Sequence, residues 1–288
     1  MKLRSIIRWE FRRTLQSKQF ILISILIPVI MAIAIFAASS SSGGRPSGTV
    51  SGPLPAYVVG LVLAVILFFG AFLSGVMTLY SVVKEKQSRV VELVLSSVSA
   101  REMMAGKVIG LGIAGLIQVV AWIVITYFVA GHFMPVSLAG LTFVHWITYP
   151  IYFALGYLLI ASIYAALGAV MKDVQSGGAS GIVGLIPYLP IMFAAFIVEH
   201  PNHVLVRIAS FVPPFTPSVM MLRIGAAQIE GAPQVAAWEI GLSIVCLALG
   251  VWLTMRFAAR VFEIGLLMYG KTPTPRELWK WMRARRAS

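Results

Sequence analysis

The sequence predicts an all-α membrane protein with six transmembrane helices and both termini in the cytoplasm. Three observations carry that expectation. Hydrophobic residues make up 59% of the chain and charged residues 11%, against roughly 45–50% and about 25% in soluble domains; a soluble fold this apolar could not cover its own surface. The apolar residues fall in blocks close to the ~20 that a helix needs to cross hydrocarbon. Of the 23 Lys and Arg, every one except Arg45, Arg207 and Arg223 lies on one side when the blocks are threaded through a bilayer with the N-terminus inside, the distribution that sets orientation. The chain is therefore expected in the inner, cytoplasmic membrane as a multi-pass protein. The net charge of +13 follows from that topology and from anionic lipid, so it does not indicate nucleic-acid binding.

Residues 1–19 are expected to form an interfacial elbow helix. Leu3, Ile6, Ile7, Phe11 and Leu15 recur at helical spacing, with Arg4, Arg8, Arg12 and Arg13 on the remaining face, which places the apolar stripe in the acyl boundary. A turn near Ser17–Lys18 leads into the first span, 20–38. Basic residues precede it and Ala37-Ala38-Ser39 follows, but the stretch is longer than a signal-peptide core and reads as an uncleaved anchor. Residues 39–55, SSSSGGRPSGTVSGPLP, form a low-complexity, flexible outer linker.

The second span, 56–83, runs into KEKQSRVVELVLSSVSAREMMAGK (84–107), a cytoplasmic segment that alternates charge with the apolar cluster Val90, Val91, Leu93, Val94 and Leu95. Ser99 with Glu102 makes a capping box, so the third helix begins before it enters lipid. A connector can be as short as about four residues. A segment this long with an apolar face is expected to be a docking surface for another protein, the alternative being a short helix lying on the membrane.

From 108 to 171 no Asp, Glu, Lys or Arg occurs, too long a run for one crossing. The break falls in GHFMPVSLAG (131–140), where Gly, Pro and Ser supply turn chemistry, giving spans 108–130 and 144–170. The fifth span is 174–198. The sixth is 236–258, with Glu239 and Arg256 at its interfaces. Between them, the apolar run 208–222 is interrupted by Pro213, Pro214 and Pro217 and cannot cross as a helix. Within 199–235, short helices dipping back into the outer leaflet are expected, bracketed by Arg207 and Arg223 at the water boundary. Residues 259–288 form a basic amphipathic tail, with Thr274, Pro275 and Glu277 opening a helix that interleaves Trp279 and Trp281 with Lys280, Arg283, Arg285 and Arg286.

Several patterns match motifs whose chemistry the context does not support. GLLMYGKT (265–272) fits a phosphate-binding loop, but it follows a membrane helix rather than a strand, and the only aspartate is Asp173. GASG (178–181) would make Ser180 an intramembrane protease nucleophile. Its base would have to be His132, His145, His200 or His203, all at or beyond the opposite interface, whereas Gly177 and Gly181, like Gly106 and Gly110, read as small-residue helix packing. His200 and His203 are separated by Pro201, which spoils ligand spacing. Cys246 is a single thiol within an apolar run and supports no disulfide framework or thiolate cluster. The spans hold essentially no acidic residue or histidine between the interfaces, unlike proton- or ion-coupled carriers, so energy is expected from outside the chain.

EKQSRVVELVLSSVSAREMMAGK (85–107) resembles the signature of ABC-2 type transporter permeases: Glu85, Lys86, Glu92, Ser99, Glu102, Gly106 and Lys107 match, while Gln87 replaces a common acidic residue and Ser97 a frequent proline. VPPFTPSVMMLRI (212–224) resembles the proline-rich outer element of the same family, and GLLMYGKTPTPRELWKWMR (265–283) its C-terminal segment. Within that family the chain most resembles the sodium-extrusion permeases, though only 39–55 stands where they carry a large extracellular domain. The resemblance implies a type V exporter-like fold, with the chain as the membrane half, paired with a second copy and with two copies of a separate ATPase. The chain would be a transport subunit rather than an enzyme, and ATP and Mg would sit on the partner, with no cofactor on this chain. It further implies a coupling interface of Glu85, Arg89, Glu92, Arg101 and Glu102 around an apolar seat of Val91, Leu93 and Val94. Ser74, Thr78 and Tyr188 would line a translocation path between spans two and five, and Pro213, Pro214, Phe215, Pro217 and Arg223 would form an extracellular lid. Two other classes stay open on the sequence: a serine protease using Ser180, and a membrane scaffold that recruits a cytoplasmic partner without transporting.

Overall fold

In a computed structural model, residues 2–18, 20–22, 24–29, 56–87, 98–133, 143–171, 189–227 and 233–266 are described. All regular structure among them is helical. The elements are α1 (Lys2–Leu15), α2 (Ala56–Gln87), α3 (Ala100–Phe133), α4 (Phe143–Val170), α5 (Leu189–Met192), α6 (Ala194–Glu199), α7 (Val204–Ala209), α8 (Thr216–Ala226) and α9 (Ala237–Leu266). A further short apolar helix, Phe20–Val29, follows α1. Ser17 caps it, accepting from the Phe20 amide at 3.1 Å, which is the turn expected at that point.

Four stretches within the described residues are long and apolar enough to cross a membrane: Val65–Gln87, Glu102–Phe128, Phe143–Val170 and Ala237–Gly265. Of the expected first and fifth spans, 30–38 and 174–188 lie outside the described residues. The described end of the fifth is broken at Phe193 into α5 and α6. α9 continues to Leu266, past the expected end of the sixth span.

α4 is the hub. It packs on α2 and α9, α3 packs on α2 and on α1, and α8 packs on α2 and α4. An 18-residue stretch of α4 is 67% buried within the chain, against 17% for one of α9, so that part of α9 is left largely for lipid or another chain. Lipid removes the hydrophobic drive for helices to associate, so close packing and buried hydrogen bonds must hold them. Both are present. Gly75 faces Ile160 and Tyr164, Gly112 faces Tyr157, and Gly168 lies 2.9 Å (from a notional Cβ) off the Leu79 carbonyl. The tyrosines of α4 reach three neighbours: Tyr149 donates to the Met221 carbonyl (2.9 Å), Tyr157 to the Val108 carbonyl (2.6 Å), and Tyr152 bonds Ser243 (2.6 Å). Trp122 of α3 donates to the Ser24 carbonyl at 3.0 Å, tying in the Phe20–Val29 helix.

Two expectations need correction. The apolar stripe of α1 is turned toward protein: Leu3 and Ile6 lie over Gly106, and the Ile7 carbonyl and Glu10 Cβ over Gly110 of α3. The GxxxG pair of α3 makes this flat seat, and α1 fills it in place of lipid. Arg223 is not at a water boundary either. It is 0% exposed, its guanidinium group enclosed by the α6–α7 turn, the end of α7 and the start of α9, which supply its partners.

Candidate functional site

The ends of α1, α2 and α3 converge on Lys107. Its ammonium group donates to Glu10 of α1, to Glu85 Oε1 of α2 at 2.6 Å and to Ser81 Oγ at 2.8 Å. Ser81 in turn donates to Glu10 Oε2 at 3.4 Å. Arg13 closes the ring through Nη1 to Glu85 Oε1 at 2.9 Å. Side-chain exposure is 1% for Lys107, 2% for Glu10 and 7% for Glu85, against 41% for Arg13. Two carboxylates and two cations balance in formal charge, so each buried charge has a partner of opposite sign. The local sequence explains the placement. Ser81 and Glu85 are one turn apart on α2, Glu10 and Arg13 share a side of α1, and Lys107 sits between the two glycines that let α1 approach α3.

Lys86, next to Glu85, points the other way. It donates to the Ala169 carbonyl at 2.6 Å, satisfying one of the last carbonyls of α4 that have no partner within the helix. The end of α2 is therefore fixed on both sides, to α1 and α3 through Glu85 and to α4 through Lys86. The chain returns at Ser99, where the expected capping box is complete: Ser99 N–H and Oγ donate to Glu102 Oε2 (3.0 and 2.9 Å), and Glu102 N–H donates to Ser99 Oγ (3.2 Å). Residues 88–97, between these two anchors, lie outside the described residues, and with them Arg89, Val91, Glu92, Leu93 and Val94. Arg101 is on the first turn of α3 and Glu102 is exposed beside it. Of the residues proposed as charged contacts, Glu85 faces inward and is occupied by Lys107 and Arg13.

At the opposite end, Arg223 uses its whole guanidinium group. Nε donates to the Pro201 carbonyl (2.7 Å), Nη1 to Ser210 Oγ (3.0 Å), and Nη2 to Asn202 Oδ1 (3.2 Å) and Glu239 Oε2 (2.6 Å). Arg207 takes the other carboxylate oxygen, Oε1, at 2.6 Å. This cluster ties α7 and α8 to the start of α9. Two of the prolines expected to form a lid sit in glycine notches: Pro213 against Gly250 of α9 and Pro217 against Gly156 of α4. Phe215 packs on Ile197, Val206, Val219 and Leu222, and Pro214 is half-exposed. Ser74 and Thr78 are buried within the chain. Ser74 faces Gly115 of α3, and Thr78 donates back to the Ser74 carbonyl at 2.9 Å, the bond that hydroxyls in lipid commonly make to their own helix. Tyr188 and Ser180 lie outside the described residues.

The sequence reading missed the partnership of Glu10 and Lys107 and that of Arg223 and Glu239. The signal was available: Glu10 is the only acid among the basic residues of α1, and Lys107 the only charge on α3 after its first turns. A single charge facing an apolar neighbourhood needs a partner of opposite sign. Among the described residues there is no cluster able to hold a metal ion. The first glycine of the phosphate-loop pattern, Gly265, is inside α9, where a Cβ would lie 2.8 Å from the Ala169 carbonyl; it serves helix packing.

A family model described as ABC-2 family transporter protein matches residues 47–260. An uncharacterized protein of Methanocaldococcus jannaschii is 32% identical over 217 residues, covering 72% of this chain and 49% of its own length. The uncharacterized protein YhaP of Bacillus subtilis is 29% identical over 231 residues, covering 74% of this chain and 53% of its own. The chain thus spans about half the length of the curated relatives it matches. No solved structure matches it.

Proposed function

The chain belongs to the ABC-2 family of transporter membrane proteins, and from that premise we propose that it is the permease subunit of an ATP-binding cassette exporter, driven by a separate ATPase. In this reading it crosses the cytoplasmic membrane six times with both ends inside, pairs with a second copy, and meets two ATPase chains through 84–107. ATP and Mg are held by those partners.

One observation carries the reading: the helix ends on either side of the segment 88–97 are both anchored. Its entry is clamped by Glu85 and Lys86, and its exit by the Ser99–Glu102 box and Lys107. A push on the segment is therefore delivered to the ends of α2 and α3 together, and through Glu10 to α1. α2 is one continuous helix of 32 residues, about 48 Å at 1.5 Å per residue, and α8 packs against it. Displacement at one end of α2 reaches the proline-bearing element at the other.

The test is co-purification with a candidate ATPase and measurement of ATP turnover and transport with Glu92→Lys. The expected result is a membrane-inserted variant whose ATPase no longer drives transport. Unchanged transport by that variant, or ATP hydrolysis by the isolated chain, overturns the proposal.

A further inference from the structure

With its apolar stripe seated on α3, the outward side of α1 carries Arg4, Arg8 and Arg12 in one column, all exposed. Successive members are separated by about 6 Å of helix rise. Beside the column stands Trp9, 51% exposed, with the Arg13 guanidinium 4.8 Å from its ring centre. The acid of α1, Glu10, is consumed by Lys107, and Arg13 is engaged with Glu85. Arg4, Arg8 and Arg12 have no acidic partner among the described residues.

The level of α1 along the bundle says what faces this column. α1 touches α3 at Gly106 and Gly110, and the exposed apolar side of α3 begins there, at Ile109, and continues through Ile113, Leu116, Val120 and Val124. The arginines therefore stand at the foot of the apolar belt, where hydrocarbon gives way to headgroups. A guanidinium fork matches phosphate oxygens two at a time, and a half-exposed tryptophan beside it suits the same boundary.

We propose that the Arg4–Arg8–Arg12 column of α1 is a docking surface for the phosphate headgroups of anionic phospholipids. The inference needs only the membrane setting and stands apart from the ATPase reading. Its occupant is a lipid rather than an acidic protein, because the column lies along the belt's edge and not on a surface projecting from it.

The test uses the full chain in uncharged detergent, with bound short-chain phosphatidylglycerol or phosphatidylcholine counted by native mass spectrometry. Phosphatidylglycerol is expected to bind on the order of a hundredfold more tightly than phosphatidylcholine, since each of the three basic side chains near an anionic surface contributes about fivefold. The variant R4Q/R8Q/R12Q should lose on the order of a hundredfold in phosphatidylglycerol affinity, while R4K/R8K/R12K keeps the preference for the anionic lipid. Should the glutamine variant fail to fold, the wild type decides: its preference must shrink as salt rises from about 0.05 to about 0.5 M. A salt-insensitive preference, an unchanged preference in the folded glutamine variant, or displacement of the lipid by equimolar inorganic phosphate or polyglutamate overturns the proposal.

Discussion

Replacing Lys107 with methionine tests whether the buried ring holds α1, α2 and α3 together. Methionine keeps most of the apolar stem of lysine and removes the ammonium group, with its charge and its N–H donors. In the wild type the Lys107 ammonium group bridges two carboxylates, Glu10 and Glu85, that are 2% and 7% exposed. Without it both carboxylates remain buried, sharing the partly exposed Arg13. Breaking a buried ion pair by deleting one partner costs about 3–5 kcal/mol, whereas Arg13→Gln, which removes a partner 41% exposed to solvent, should cost about 0–1 kcal/mol. Removing all three buried charges at once, as E10Q/E85Q/K107M, should recover most of the loss, because no uncompensated charge is left inside. The assay is unfolding of the purified chain by urea in mixed micelles, comparing midpoints at equal slope. A Lys107→Met loss no larger than that of Arg13→Gln, or a triple variant no more stable than Lys107→Met, would refute the reasoning.

Arg223→Leu leaves Glu239 buried with Arg207 alone and should cost about 3–5 kcal/mol, with R223L/E239L regaining more than half in the same unfolding measurement; equal losses in the two variants would contradict a paired cluster. Gly250→Leu places a side chain where Pro213 Cγ already lies 2.6 Å from a notional Cβ. It should cost about 1–3 kcal/mol through overpacking and make a cysteine placed at Pro214 label faster with an impermeant maleimide in a C246S background. Unchanged labelling would show that Pro213 does not depend on that notch. Ser99→Ala removes the cap of α3 and should cost about 1 kcal/mol, seen as faster amide exchange over 100–103; exchange at the wild-type rate would mean the box does not hold the helix start.

The apolar run around α4 was readable because composition is local: 144–170 was expected and α4 occupies Phe143–Val170. The start of α3 was equally local, since Ser99 and Glu102 are three residues apart and cap each other whatever surrounds them. That 199–226 forms short helices rather than one long one was recognisable from its prolines, and its buried face from its apolar content. The direction of the α1 stripe was not readable, because an amphipathic helix meets lipid and a glycine-lined helix surface with the same pattern. Nor did the sequence show that Glu85 turns inward while Lys86, its neighbour, caps α4.

Helix-forming blocks, their approximate lengths and the polar segments between them belong to the order of residues alone, because hydrophobicity and capping act over a few positions. Pairing of charges belongs to tertiary structure. Glu10 and Lys107 lie 97 positions apart, and Arg223 finds its partners on the α6–α7 turn and on α9. Those meetings depend on how each helix is rotated about its axis and where it crosses its neighbour. Here glycine seats such as Gly106 and Gly110 help to set both; the local GxxxG pattern marks a packing face, but which helix fills it is decided by the fold.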